Sequence, residues 1–476
     1  MNRRTTFAAA LASDQVEHFI LHDHTVAACT DRIARSFGIP LIRGGPITDS
    51  EIAKVARDPF LRKALQSTLI RGLQLELFFT YLRKTLLRRT SEVDSNVLPL
   101  FSALAQQCFI NEYVYLIGDD EAQQIAKWRE LIVGRMADGK PIEPLILVAI
   151  AAYLPLHALP NPDSLLKQKW PPAVAELLAQ QIREPLGEMR ERNSIPTITP
   201  IADRTSLQVR DQYEQNPYPR WTKSPPVGKR VPKEMEVLVA GCGTGKHIFD
   251  VAERNPKARI LAIDISMASL AYAKRKAREA HLANVEFAQA DILELGTIRR
   301  EFDHIEAVGV LHHLADPKTG WRVLLSLLRP NGTMHIGLYS QLARRAVVEA
   351  RAIISRDGYE PTAEGIRAMR RLIMRDESRW KAITGLSDFY CMSGCRDLLF
   401  NVMEHRFAIS DIANFLKDHK LTFLGFELPA DVIDRFMQQY KGRLLDLDCW
   451  QLFELNNPST FRFMYQFTVS KQRTAI

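Results

Sequence analysis

The feature that most constrains this chain is a change of sequence pattern at Glu234. From there, short apolar runs alternate with helical segments; the runs are "MEVLVA", "RILAIDIS", "VEFAQADILEL", "FDHIEAVGVLHHL" and "TMHIGLYS". Strands that alternate with helices along a chain pack as a parallel sheet with helices on both faces. A later helix and strand, "SDIANFLKDHKLTFLGFEL", and the alternating run "FRFMYQFTVSK" extend the pattern. We therefore predict an α/β domain over residues 234–476.

Residues 341–409 interrupt this alternation with charged, helical sequence directly after the fifth strand. The carboxyl ends of parallel strands share one edge of a sheet, and α/β domains of this kind bind their ligands there. We therefore predict that 341–409 form a helical insertion at the ligand-binding edge.

Residues 1–200 have a different pattern. Leucines and aromatic residues recur every three or four positions, as in "DPFLRKALQSTLIRGLQLELFFTYLRKTLLRR", which predicts amphipathic helices. No repeat of about 34 residues, the tetratricopeptide period, is convincing. We predict an N-terminal all-α domain over 1–200, followed by a linker with an aromatic segment over 201–233.

Composition narrows the cellular setting. The chain has 476 residues, a formal net charge of +8 and six cysteines without a disulfide framework, which fits a reducing cytoplasm. The longest apolar run, residues 144–160, is shorter than the roughly 20 residues that span a membrane. We expect a cytoplasmic protein without membrane insertion.

Cys391 and Cys395 lack a second pair at zinc spacing, so we expect no metal site. The net positive charge still permits an acidic partner such as nucleic acid.

A glycine turn marks the expected ligand site. In "VLVAGCGTG", Gly241, Gly243 and Gly245 follow the first strand of the domain and precede a helix. The first glycine permits a sharp turn, and the second lets backbone approach a ligand closely. Asp264 ends the next strand, 23 positions after Gly241, where a carboxylate can accept both hydroxyls of a ribose. Asp291 follows the third strand and can accept from an adenine amino group. These contacts describe an adenosine whose tail lies over the glycines.

The spacing G-C-G-T-G, together with these two acids, resembles the class I S-adenosylmethionine-dependent methyltransferases. "GVLHHL" and "LLRPNGTMHIGLYS" resemble the same family. The resemblance implies a Rossmann-like, seven-stranded sheet, S-adenosylmethionine as cofactor and methyl transfer as the activity. The cofactor contacts that it implies are Gly241, Cys242, Gly243, Gly245, Asp264, Ile265, Asp291, Ile292 and Val310.

The sequence departs from the family at one position. The family usually carries an acid two residues before the first glycine, where it helps to orient the methionine end of the cofactor, but this chain has Val239 there. We expect Lys246, His247 or a residue of the upstream aromatic segment to take over that role.

A narrower resemblance concerns bacterial fusion proteins that join a helical, often tetratricopeptide, region to a methyltransferase domain. The segments that carry it are "YEQNPYPRW", "DLLFNVMEHRF" and "NPSTFRFMYQF". It does not identify the methyl acceptor. We favour a protein or peptide, because a helical domain of this size is large for a small-molecule lid. A small molecule or RNA is the alternative.

Methyl transfer requires the acceptor to be held in line with the methyl group, and a base can take the acceptor's proton. His312 and His313 follow the fourth strand, so one of them is a candidate base or a wall of the acceptor pocket; alternatively, the pair packs and caps the loop. Glu404, His405 and Arg406 either line the acceptor site or form a solvated helix face.

The stretch "QYEQNPYPRW" concentrates aromatic residues and prolines directly upstream of the glycine turn. Prolines stiffen a segment, and tyrosine and tryptophan offer amphipathic surfaces. We predict a lid over the cofactor formed by Tyr213, Tyr218 or Trp221, with Tyr218 as a candidate near the reacting group. The alternative is a packed linker.

Two other functions remain open from the sequence. An NAD-dependent oxidoreductase needs a third glycine placed for pyrophosphate binding and a catalytic set for hydride transfer, and neither is visible in the sequence. A non-catalytic interaction protein could retain the cofactor-binding fold as a relic.

Overall fold

The computed structural model describes residues 18–41, 47–88, 97–222 and 234–471. Contacts divide the chain into two units. Of the described residues, unit 1 takes those within 1–189, 220–226 and 358–398, and unit 2 takes those within 190–219, 227–357 and 399–476. Within the described residues, no helix is long and apolar enough to cross a membrane.

The N-terminal part is helical, as predicted. Its helices are α1 (His18–Asp31), α2 (Asp49–Ala56), α3 (Pro59–Ser67), α4 (Leu73–Arg88), α5 (Leu98–Ile110), α6 (Asp119–Ala137), α7 (Pro144–Ala151), α8 (Pro172–Leu178) and α9 (Glu184–Arg192). Local signals set their starts: Asp58 accepts the Leu61 N–H at the start of α3, with Pro59 in the first helical position. Buried leucines and phenylalanines of α4 and α5 build much of the core of unit 1.

The predicted linker contains a helix, α10 (Arg204–Gln215). Asp203 accepts the Ser206 N–H and so caps its start. Its mostly polar sequence concealed it, since only Ser206, Val209 and Gln212 are buried. Residues 223–233 of the predicted linker lie outside the described residues.

The described residues of unit 2 form a seven-stranded sheet, and this fold prediction is confirmed. In chain order the elements are β1 (Glu236–Ala240), α11 (Lys246–Arg254), β2 (Arg259–Asp264), α12 (Met267–Glu279), β3 (Val285–Gln289), β4 (Phe302–Val308), α13 (Pro317–Ser326) and β5 (Leu328–Leu338). The strand order is β3-β2-β1-β4-β5-β7-β6, where β6 is Leu421–Phe426 and β7 is Tyr465–Lys471. β1 to β5 pair in parallel, whereas β7 is antiparallel to β5 and β6.

The helical insertion after β5 is also confirmed. It contains α14 (Arg345–Asp357), α15 (Ala363–Arg375), α16 (Lys381–Thr384) and α17 (Met392–Phe400). Its middle part, residues 358–398, is counted in unit 1. The chain then returns to unit 2 with α18 (Ile409–Asp418), α19 (Ala430–Gln439) and α20 (Leu447–Asn456).

Apolar cores line both faces of the sheet. On one face, Val237 and Val239 of β1 pack with Ile260 of β2 and with residues of α11 and α12. On the other face, Leu238 and Ile336 belong to a larger core that includes α13, α18, α19 and α20. The alternation along each strand therefore divides its side chains between two helical layers, as the sequence pattern predicts.

A buried ion pair lies within unit 1. The Arg370 guanidinium donates to both carboxylate oxygens of Glu76, at 3.0 and 2.7 Å, and also to the Val114 and Phe389 carbonyls. Arg370 is 0% and Glu76 is 3% exposed. Removing one member would leave the other charge buried without compensation, which costs more than the pair itself contributes.

We predict that Arg370→Met destabilises the protein by about 3–5 kcal/mol, because it leaves the Glu76 carboxylate buried without its partner. Urea denaturation measures the change in free energy of unfolding. Lys140→Met is the control, since Lys140 and Asp138 form an exposed pair at 2.8 Å, and exposed pairs contribute about 0–1 kcal/mol. Equal losses in both variants would contradict the prediction.

Candidate active site

The glycine turn joins β1 to α11, and all three of its glycines have positive φ. A Cβ atom at Gly241 would lie 2.3 Å from a methyl carbon of Val310. At Gly243 it would lie 2.8 Å from the Tyr218 carbonyl oxygen. Only glycine fits at these two positions, since real Cβ atoms do not approach other atoms that closely. The third, Gly245, directly precedes α11.

Asp264 ends β2 with its carboxylate against the glycine turn. One oxygen accepts the Gly243 N–H at 2.7 Å, and the other accepts the Ser266 N–H at 2.9 Å. Burial raises the pKa of Asp264 to about 6, although both of these backbone hydrogen bonds oppose the shift. The carboxyl therefore changes charge close to neutral pH.

Asp291 follows β3 and has an oxygen that its surroundings do not satisfy. Its Oδ1 accepts the Leu293 N–H at 3.0 Å, and its own N–H donates to the Thr199 hydroxyl at 2.8 Å. Its Oδ2 has no hydrogen-bond partner among the described residues, although the residue is 1% exposed. Buried polar atoms are normally paired, so this oxygen could accept a hydrogen bond from a bound ligand.

All the expected cofactor contacts meet at one edge of the sheet. Cys242 lies in the glycine turn, Ile265 follows Asp264, Ile292 follows Asp291, and Val310 follows β4. The two acids come from neighbouring strands, and the Ala290 N–H joins them by donating to the Asp264 carbonyl at 3.0 Å. The edge thus offers carboxylates, backbone groups and apolar side chains together.

Val239, where the family carries an acid, is buried in the apolar core. Its cross-strand partner on β4 is Glu306. The Glu306 carboxylate contacts His247 Nε2 at 3.0 Å and His304 Nε2 at 2.8 Å. Burial alone would raise the pKa of Glu306, but the two imidazoles hold it well below the usual range. Sequence reasoning missed this residue; the signal was a glutamate inside the apolar run "FDHIEAVGV".

His312 and His313 lie in a short 3-10 turn after β4, and both are buried. The His312 ring stacks on Tyr339 with centroids 3.8 Å apart. Burial holds the pKa of His312 well below its usual value, and neighbouring positive charge adds to the shift. His312 is therefore neutral and a weak base, which favours the packing interpretation for this residue. His313 donates through Nδ1 to the Met403 carbonyl at 2.7 Å, so its Nε2 is the ring nitrogen that could accept a proton.

Residues 401–407, which follow the last helix of the insertion, pack against this turn. The His405 N–H donates to the His312 carbonyl at 2.8 Å. The Glu404 side chain is 0% exposed and pairs with Arg344, with Arg406 3.5 Å away. The alternative of a solvated helix face is therefore wrong for Glu404: residues 401–407 are not helical, and their contacts bury its carboxylate.

The aromatic segment divides between the two units. Tyr213 lies in α10, where its ring meets His313 edge-on at 6.3 Å and its hydroxyl accepts from Asn401. Tyr218 and Pro219 lie against the glycine turn: the Tyr218 carbonyl is close to Gly243, and Thr244 donates to the Pro219 carbonyl. Trp221 is 7% exposed and is counted in unit 1.

No three His, Cys, Asp or Glu side chains in the described part of the chain converge in a way that could hold a metal ion. Cys391 and Cys395 are buried thiols, and burial raises the pKa of each. They behave as small core residues.

Comparison with known proteins gives one family match and several partial relatives. Residues 232–365 match the family described as "Methyltransferase domain". An uncharacterised protein from Synechococcus is 33% identical over 48% of this chain and 59% of its own length. A tRNA (guanine-N(7)-)-methyltransferase from Rubrobacter xylanophilus is 31% identical over 25% of this chain and 52% of its own. The chain thus spans little more than half the length of these relatives.

Among solved structures, this chain is similar to PKMT2 from Rickettsia typhi in complex with AdoHcy. The two share 18% sequence identity with a TM-score of 0.41, over 59% of this chain and 55% of that one. The strand order and the glycine turn of the described residues are those expected of a class I methyltransferase fold, and residues 232–365 are similar to the methyltransferase-domain family.

Proposed function

We propose that the protein transfers the methyl group of S-adenosylmethionine to an acceptor, and that the cofactor lies along the carboxyl ends of β1 to β4. The observation that carries this proposal is the unsatisfied, buried Oδ2 of Asp291. An adenine amino group is the donor that this oxygen lacks.

The other groups at this edge take complementary roles. Asp264 accepts the ribose hydroxyls in its ionised form, and the turn from Gly241 to Gly245 offers backbone groups to the methionine tail. The cofactor supplies an electrophilic methyl group, so the protein's main task is to hold the acceptor in line and exclude water. Because His312 is a weak base, His313 is the better candidate to receive a proton from the acceptor.

We predict that Asp291→Asn weakens binding of S-adenosylhomocysteine about tenfold or more, because an amide would lose a charge-assisted hydrogen bond. The analogue with an oxo group in place of the adenine amino group should bind the unmodified protein weakly. The Asn substitution should change the affinity for that analogue much less. Isothermal titration calorimetry measures both ligands.

Glu286→Gln is the matched control for Asp291, since Glu286 lies near the amino end of β3 and pairs with Arg300 at the surface. The affinity of the Glu286→Gln protein for both ligands should equal that of the unmodified protein. An equal loss for both ligands in Asp291→Asn would contradict adenine recognition by Oδ2.

A protein or peptide is the acceptor that we favour. Unit 1 is large for a small-molecule lid, and the basic helix α4 is poorly suited to RNA. Arg83 is 0% exposed, while Lys84 and Arg88 both pair with Asp120. Arg83 is thus withdrawn from solvent, and Lys84 and Arg88 share one carboxylate, which reduces the positive charge that α4 offers to a phosphate backbone. A small-molecule acceptor is the remaining alternative.

The segment at Tyr218 and Pro219 serves as a lid in this proposal. The contacts of its backbone with Gly243 and Thr244 support that role, because anything bound over the glycine turn would meet this segment. A lid over a sulfonium excludes water from the reacting methyl group, which matters more for transfer than for affinity.

We predict that Tyr218→Ala lowers turnover more than it weakens cofactor binding. An aromatic face near a cation contributes about 0.5–2 kcal/mol, so the dissociation constant should rise by no more than about thirtyfold. Single-turnover kinetics and calorimetry separate the two effects. Tyr359→Ala, outside the aromatic segment, is the control. If Tyr218→Ala behaved like that control, the segment would be a packed linker.

A further inference from the structure

A carboxylate in β4 is tied to the helix that follows the glycine turn. Glu306 Oε2 lies 3.0 Å from His247 Nε2, and Oε1 lies 2.8 Å from His304 Nε2. His304 is on β4 itself, two residues from Glu306, whereas His247 is the second residue of α11. One carboxylate thus joins its own strand to the helix start.

The position of His247 gives this contact its importance. α11 begins at Lys246, directly after Gly245, so His247 is two residues from the glycine turn. Ile248, Val251 and Ala252 hold the helix to the sheet by apolar contact, which is not directional. A charge-assisted hydrogen bond does specify distance and angle.

We propose that Glu306 and His247 are positioning residues for cofactor binding: the pair fixes the start of α11 and thereby the shape of the glycine turn. This inference rests on the proposed function, since it assumes that the turn holds the cofactor. Neither side chain needs to touch the cofactor.

Other groups surround the pair. From β5, the His335 ring stacks on His247 with centroids 6.5 Å apart. His335 in turn contacts Thr468 of β7 at 3.1 Å and lies 3.7 Å from Glu427. On α11 itself, Asp250 raises and Arg254 lowers the pKa of His247. Burial is the largest single effect and would lower that pKa, but Glu306 and Asp250 together outweigh it, so the net pKa is raised.

The direction in which cofactor affinity changes with pH follows from the raised pKa of His247. A histidine whose folded pKa is raised stabilises the folded arrangement below its unfolded pKa of about 6.5, and that stabilisation is lost as pH rises through the folded pKa. Cofactor affinity should therefore fall on the alkaline side as His247 loses its proton. It should also fall on the acid side, as Asp264 is protonated near its pKa of about 6.

The test measures the dissociation constant of S-adenosylhomocysteine by calorimetry from pH 5 to pH 9. For the unmodified protein we expect the affinity to be highest at an intermediate pH and to fall on either side of it. We call these two falls in affinity the acid limb and the alkaline limb. His247→Gln keeps only an uncharged donor for Glu306, so it should bind at neutral pH about as weakly as the unmodified protein does at alkaline pH, and it should lack the alkaline limb. Glu306→Gln should lose it too, and His247→Ala should bind about tenfold more weakly. The ligand's own amino group titrates alike in every variant.

His304→Asn is the matched control, because His304 contacts the same carboxylate but lies on β4. It should keep both the affinity and the alkaline limb. Persistence of that limb in His247→Gln and Glu306→Gln would overturn the positioning role, as would an equal effect of His304→Asn. In that event the acid limb from Asp264 would persist, and the proposed function would stand. Absence of binding to the unmodified protein would overturn both.

Discussion

The packing of Val310 against Gly241 is the contact on which the candidate site depends. It brings the loop after β4 against the turn after β1, with no space for a side chain at Gly241. The loop carries His312 and His313, and these in turn bind His405 and Met403, which follow the last helix of the insertion. The glycine turn and the loop that carries the two histidines are therefore connected through one close contact, between the Val310 side chain and the Gly241 backbone.

Two buried carboxylates near this contact have pKa values that are shifted in opposite directions. Asp264 accepts only backbone N–H groups, so burial dominates and raises its pKa to about 6. Glu306 is buried as well, but the imidazoles of His247 and His304 more than offset burial and lower its pKa. The first is suited to bind ligand hydroxyls with a charge that responds to pH, and the second to hold a permanent charge under the turn.

Much of this arrangement could be predicted from local pattern. The glycine spacing, Asp264 and Asp291 after successive strands, and the insertion after β5 all follow from short sequence signals. Glu306 could not be assigned, because its meaning depends on the register between β1 and β4 and on His247, 59 residues away. Arg370 was equally hidden: its partner Glu76 is 294 residues distant, and a charged helix predicts a solvated face rather than a buried pair. The roles of Glu306 and Arg370 both depend on partners that are distant in the sequence, which local sequence patterns do not reveal.

The most direct test of the central claim is transfer of a tritiated methyl group from S-adenosylmethionine to lysate of cells that lack the protein. The full chain should label macromolecules, and the label should be released by protease but resist ribonuclease. The Asp291→Asn protein, at a cofactor concentration near the dissociation constant of the unmodified protein, should transfer far less. Label in a ribonuclease-sensitive or low-molecular-weight fraction would contradict a protein acceptor. No transfer above the level of lysate alone would contradict the methyltransferase account itself.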